Sequence, residues 1–193
     1  TPTAGTITTN NGSSIANSGA LTFANLSIAN SATIATASSF NIGGALSVGA
    51  GANFAPSAGT ITMNNGSSIT NNGTLTFNNF TISGGATATA SSDFNVSGNW
   101  TNNGTFTPGT GTVIFNGTLG TQTIDSGGTG AGKQFYNVTI NNTGTSVRLI
   151  NNNLAQSTGG ALSFTRGTLD LNGKTWTLGA DFTPAPTATA RSQ

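Results

Sequence analysis

The sequence predicts an all-β chain wound as a parallel β-solenoid, and three observations carry that expectation. Apolar residues arrive in short bursts of period two, as in Leu21/Phe23, Leu26/Ile28, Phe40/Ile42 and Leu46/Val48. Such alternation marks a strand with one buried face, and no stretch shows the sustained 3.6-residue period of a helix. Between bursts lie NNG, GG and NNT, whose Asn and Gly accept the positive φ of tight corners. Finally, the chain repeats itself: residues 5–44 match 59–98 at 23 of 40 positions, an offset of 54.

Each copy follows the same grammar. GTITTNNGSSIANSGALTF from Gly5 returns as GTITMNNGSSITNNGTLTF from Gly59. After Gly98 the offset becomes 52, so that Phe54 and Pro56 align with Phe106 and Pro108, and GTITM aligns with GTVIF at Gly111. In a third, diverged copy FYNVTI at Phe135 answers FNNFTI at Phe77, with an insertion at the Gly-rich residues 127–132. Strand bursts every six to eight residues predict coils near 18 residues, three to each 54-residue copy. Roughly ten coils at about 4.8 Å would make a rod of about 50 Å. Asn10, Asn11, Asn64 and Asn65 are expected to stack in amide ladders at successive corners. The rival architecture is an antiparallel β-sandwich, for which Asn-Gly at 11–12, 65–66 and 72–73 would serve as hairpin turns. A near-verbatim long repeat favours stacked coils, because a closed sandwich gains nothing from it.

This reading divides the chain into an N-terminal extension (1–4), one solenoid of diverged repeats (5–58, 59–110, 111–182) and a Pro/Thr-rich arm or linker (183–193). The arm, FTPAPTATARSQ from Phe182, loses the Gly/Asn corner grammar and is expected to leave the rod.

Composition narrows function by exclusion. Gly, Asn, Thr and Ser make up 109 of 193 residues, while only nine residues are charged and Asp93 is the first of them. His, Cys and Glu are absent, which removes thiol and imidazole catalysis, disulfides and Cys/His metal sites. With a net charge of +1 and five scattered Lys and Arg, no surface can hold a phosphate backbone, so no nucleic-acid partner is expected. No run of 18 apolar residues exists to span a membrane as a helix.

Candidate chemistry rests on Asp93, Asp125, Asp170 and Asp181. A glycosidase needs two carboxyl groups roughly 5 to 9 Å apart; Asp125 and Asp170, 45 residues apart, would sit about two and a half coils or 12 Å from each other. No catalytic residue, cofactor site or metal site is therefore assigned, and a calcium cage would need more clustered acids. Eleven Asn-x-Ser/Thr triplets between Asn11 and Asn141 read as corner chemistry before glycosylation. Thr-x-Thr pairs at 6/8, 60/62, 87/89, 105/107, 121/123, 175/177 and 187/189 should project from strand faces, the feature an ice-binding array would use. Trp100 takes the place of Leu46 and is expected in the core, whereas Tyr136, next to Phe135, should point outward.

The stretch GNWTNNGTFTPGTGTVIFNGTLGTQTI from Gly98, with FYNVTI beyond it, resembles repeat modules of large bacterial surface and secreted proteins of the filamentous-haemagglutinin and autotransporter-passenger kind. The likeness is best over 98–142 and looser over 5–98. It implies an extracellular, non-catalytic structural module of an adhesin, matrix or self-assembling filament. The alternative is a carbohydrate-binding or polysaccharide-cleaving β-helix, with an ice-binding repeat a minor one. Residues 1–20 hold no charge and no aromatic, and Lys174, Trp176 and Asp181 form only a partial C-terminal cap. Open ends predict pairing with identical subunits or tandem domains.

Overall fold

The computed structural model describes residues 5–180, Phe182 and Thr189–Arg191. Twenty-five short strands and no helix make up the described chain. The first three coils carry β1 (Thr6–Thr9), β2 (Ser14–Ile15) and β3 (Thr22–Phe23); β4 (Asn25–Ile28), β5 (Thr33–Thr36) and β6 (Phe40–Ile42); and β7 (Ala45–Val48), β8 (Asn53–Phe54) and β9 (Thr60–Met63). The next three carry β10 (Gly66–Asn71), β11 (Thr74–Phe77) and β12 (Asn79–Ile82); β13 (Thr87–Ala90), β14 (Phe94–Val96) and β15 (Trp100–Asn102); and β16 (Thr105–Thr107), β17 (Thr112–Phe115) and β18 (Thr121–Asp125). Beyond the Gly-rich insertion come β19 (Asn137–Asn141) and β20 (Ser146–Leu149), then β21 (Leu154–Ala155), β22 (Leu162–Arg166) and β23 (Thr168–Asp170). A last partial coil holds β24 (Trp176–Thr177) and β25 (Thr189–Arg191).

All of these strands pair in parallel, so the expected solenoid is the fold and the antiparallel sandwich is not. Each coil gives one strand to each of three faces. The first face is β1-β4-β7-β10-β13-β16, the second runs from β2 to β22 in eight strands, and the third from β3 to β25 in nine. Alternation does what the sequence promised. In β4 Leu26 and Ile28 are buried while Asn25 and Ser27 look outward, and the same in-out pattern fills a continuous apolar column. Its centre is aromatic: Trp100 is fully buried, stacks on Phe80 at 4.8 Å and meets Phe106 edge-on at 4.9 Å. Tyr136 projects outward beside buried Phe135 and is half-buried.

Coil length and number differ from expectation. Thr6 lies opposite Asn25, Thr33 opposite Asn53 and Phe40 opposite Ile61, coils of 19, 20 and 21 residues; across the insertion Thr112 faces Asn137, 25 residues on. About eight turns result instead of ten, so the rod is roughly 40 Å long. The cause is the corners, which take an extra Gly or Asn where a 6-residue strand unit allows none. A 54-residue copy therefore holds eight strands, not nine. Eight strands are two and two-thirds turns, so β1 on the first face becomes β9 on the third and β17 on the second. The repeat is a screw: each copy reuses the wording of the last on a different face.

That rotation breaks the expected Asn ladder. Asn10 and Asn11 turn from first to second face, whereas Asn64 and Asn65 turn from third to first, so they never lie above one another. Asn11 Oδ1 instead accepts the Thr33 N–H at 3.3 Å, and Asn64 Oδ1 accepts from the Ser83 hydroxyl. The Asn-Gly pairs turn corners and make no hairpins, with Gly12 at φ 80° and Asn65 at φ 54°.

Thr189–Arg191 pairs with β23, so this part of the predicted 183–193 arm stays on the rod, against the expectation that it leaves. The extension 1–4, Asp181 and the rest of the arm, including the 187/189 Thr pair's side chains, lie outside the described residues.

Candidate functional site

Corner asparagines do the splicing between coils. Asn25 Nδ2 donates to the Gly5 carbonyl at 3.1 Å and its Oδ1 accepts the Ala45 N–H at 2.7 Å, tying three successive coils with one side chain. Asn79 and Asn137 do the same, from Gly59 to Asn99 and from Thr110 to Ala161. All three begin Asn-x-Ser/Thr triplets, and their amides serve the corner, as the corner reading of these triplets expected. Each such bond replaces a backbone partner that the turning chain cannot reach.

The carboxylates are separated and individually engaged. Asp93 Oδ1 accepts the Thr112 N–H at 2.7 Å at a corner. Asp125 accepts from Asn151 Nδ2 at 2.7 Å, Asn152 Nδ2 at 2.9 Å and the Gly127 N–H at 3.0 Å. Partial burial opposes its ionisation, but these donors and the nearby Lys133 outweigh that and hold its pKa below the usual carboxylate range. Asp170 pairs with Arg148 Nε at 3.2 Å and accepts the Asn172 N–H at 2.9 Å. Asp125 and Asp170 share the outward side of the third face, two rungs apart through β20 and offset along the strand. Two rungs and two residues separate their Cα atoms by roughly 12 Å, beyond the span of a glycosidase pair. The coil count between them is two, not the two and a half expected. Among the described residues no three His, Cys, Asp or Glu side chains converge.

The Gly-rich insertion fills a missing strand position. After β16 the first face continues as residues 132–135: the Gly132 carbonyl accepts the Phe106 N–H at 2.8 Å, and Phe135 bridges to Gln156 beside β21. Lys133 Nζ donates to the Asn102 and Gly104 carbonyls, so its charge is spent on a corner. Sequence reasoning passed over the buried amides that pin this irregular half. Gln122, buried, donates to the Val96 and Gly98 carbonyls and accepts from Gly117 and Asn142; Gln156 donates to the Tyr136 and Ala161 carbonyls. The signal was a polar residue at an inward position of a strand, Gln122 between Thr121 and Thr123.

The Thr pairs point outward but not to one face. Thr6/Thr8, Thr87/Thr89 and Thr105/Thr107 lie on the first face, and Thr60/Thr62 and Thr121/Thr123 on the third. The screw distributes them, and among the described members of these pairs only Thr87–Thr105 and Thr89–Thr107 stand directly opposite each other.

The ends of the rod are different in kind. Ile7 occupies an inward position yet is 54% exposed, and with Leu21 and Phe23 it lines an open apolar hollow under the first coil. At the other end Leu178 is 36% exposed just past β24. These two and Leu119, on a loop tip, are the exposed large apolar residues among those described. Among the described residues no helix is long and apolar enough to cross a membrane.

No family model, no curated protein and no solved structure matches this chain. What the geometry defines on its own is an all-β repeat protein of the parallel β-solenoid class.

Proposed function

We propose that the chain is a non-catalytic structural module, a rigid spacer in an extracellular adhesin, matrix or surface filament. The observation that carries the reading is parallel pairing maintained along three faces for about eight turns, which makes length the property the sequence invests in. An exterior of Thr, Ser and Asn with few charges suits a rod that packs among glycans and like chains. The resemblance of 98–142 to bacterial surface modules points the same way.

The test is to insert one, two or three copies between a surface anchor and a reporter domain and measure reporter height. Each copy should add roughly 40 Å. A glycan array and polysaccharide-turnover assays accompany it. Turnover lost on Asp125→Asn or Asp170→Asn would replace the spacer reading with an enzymatic one.

A further inference from the structure

We propose that a second copy of this chain docks head to tail on the first, β24 of one pairing in parallel with β1 of the next, Trp176 opposite Ile7. The proposal names the partner of the rod module and rests on that reading for its use. Two junctions inside the chain set the pattern.

β9 and β17 are the later copies of β1, and each is covered on its upstream edge by an aromatic-x-aliphatic strand. Phe40-Asn41-Ile42 lies on β9 with Phe40 opposite Ile61 and Ile42 opposite Met63. Phe94-Asn95-Val96 lies on β17 with Phe94 opposite Val113 and Val96 opposite Phe115. Ile61 is 0% exposed there, against 54% for Ile7. Between the described residues of the chain, nothing plays that part for β1.

The matching strand is at the far end. Trp176-Thr177-Leu178-Gly179-Ala180-Asp181-Phe182 repeats the pattern of Phe40-Asn41-Ile42-Gly43-Gly44-Ala45-Leu46 and Phe94-Asn95-Val96-Ser97-Gly98-Asn99-Trp100. Its face is also the right one. The internal junctions move from the third face (β6 on β9) to the second (β14 on β17), and β24 lies on the first, one full turn beyond the sixth strand position that β6 and β14 hold in their copies. β24 continues the first face through the 132–135 segment and β21, and β1 begins it.

Two smaller correspondences agree. The residue before each aromatic offers a side-chain oxygen to the next coil: Ser39 Oγ accepts the Thr60 N–H at 3.0 Å and Asp93 Oδ1 the Thr112 N–H at 2.7 Å. Thr175 holds that position before Trp176, ready for the Thr6 N–H of a second copy. The glycine that opens each later copy fits where a Cβ would not, Gly59 against Ser38–Ser39 and Gly111 against Ser92. Gly5 carries the same residue at φ 112°, and among the described residues nothing lies within 4 Å of its missing Cβ. Leu178 would meet Thr9 where the internal junctions place Met63 and Phe115, so this joint is weaker than theirs and opens reversibly. With a net charge of +1 there is little repulsion against it.

The chain has no cysteine, so engineered ones report the register directly. Thr8→Cys and Thr177→Cys variants are mixed and oxidised; their outward side chains leave the core untouched. Adjacent rungs bring these Cα atoms into the disulfide window, whereas Thr6→Cys with Thr177→Cys is two residues out, so the first pair should couple about ten-fold faster. Sedimentation of the unmodified chain should show concentration-dependent end-to-end growth, suppressed by Ile7→Asp and by Leu178→Asp. A unit that stays monomeric at about 1 mM, or equal coupling of the two cysteine pairs, overturns the junction. Small-angle scattering of the Leu178→Asp monomer separates the two readings: a rod of roughly 40 Å keeps the spacer module whichever way the junction falls, and any other shape removes it.

Discussion

Gly5–Thr9 and Gly59–Met63 share four of five residues and end in opposite surroundings. In the second copy the inward isoleucine is sealed beneath Phe40; in the first it lies open at the end of the rod. On their other edges the strands behave alike, each accepting the Nδ2 of a corner asparagine, Asn25 or Asn79, on its opening glycine carbonyl. In a solenoid, burial belongs to the place in the stack and not to the strand. A repeat encodes two complementary edges, and a strand is sealed where a neighbouring coil supplies the matching one.

Matched positions of the two copies should respond differently to substitution. The largest effect is expected at the core position where Leu46 of the first copy becomes Trp100 of the second. Trp100→Ala empties the aromatic centre and should cost about 3–5 kcal/mol, at or above the roughly 2–5 kcal/mol of Leu46→Ala, read by denaturant unfolding. Next comes the isoleucine pair. Ile61→Ala should cost about 2–5 kcal/mol, whereas Ile7→Ala in dilute monomer should cost under about 1 kcal/mol, and equal losses would show that the first coil is already covered.

Glycines sharpen the same contrast. A Cβ on Gly73 would collide with the Ala52 carbonyl, but its counterpart Gly19 has nothing within 4 Å. Gly73→Ala should therefore destabilise by about 1–3 kcal/mol and Gly19→Ala by a few tenths at most. The smallest expected effect is electrostatic and belongs to the irregular half. Because the Asp125 pKa is lowered on folding, its ionised form adds stability that is present above the unfolded value of about 3.9 and lost as pH falls through the folded value. Asp125→Asn should thus be less stable than the parent at neutral pH, the gap closing in acid. A gap that persists below that range would assign the loss to packing. The Asn151 and Asn152 contacts would then be the cause.

Much of this architecture was legible in the residues. Leu26/Ile28 and Phe80/Ile82 announced one-sided strands, and Trp100 in a leucine position announced a core residue. The role of Asn25, Asn79 and Asn137 was half legible: they read as corner residues, but that each reaches both forward and back by one coil needs the coil length. Gln122 and Gln156 were not read at all, since an inward polar residue has meaning only when the carbonyls around it are known.

By itself the sequence determined that this chain is all-β, parallel and repetitive, because alternation selects one buried face and a long repeat rewards stacking like on like. Only the tertiary structure decided the phase. Corner glycines and asparagines lengthen the coil to around twenty residues, eight strands then fill one copy, and eight is not a multiple of three. Every copy is consequently turned to a new face, which scatters the threonines and unstacks Asn10 from Asn64. The longer third copy, extended by the 132–135 segment and a further turn, brings Trp176 to the first face, the one on which β1 lies. Strand pairing is local and can be read along the chain, but the number of residues needed to close a turn is set by how the corners pack across coils.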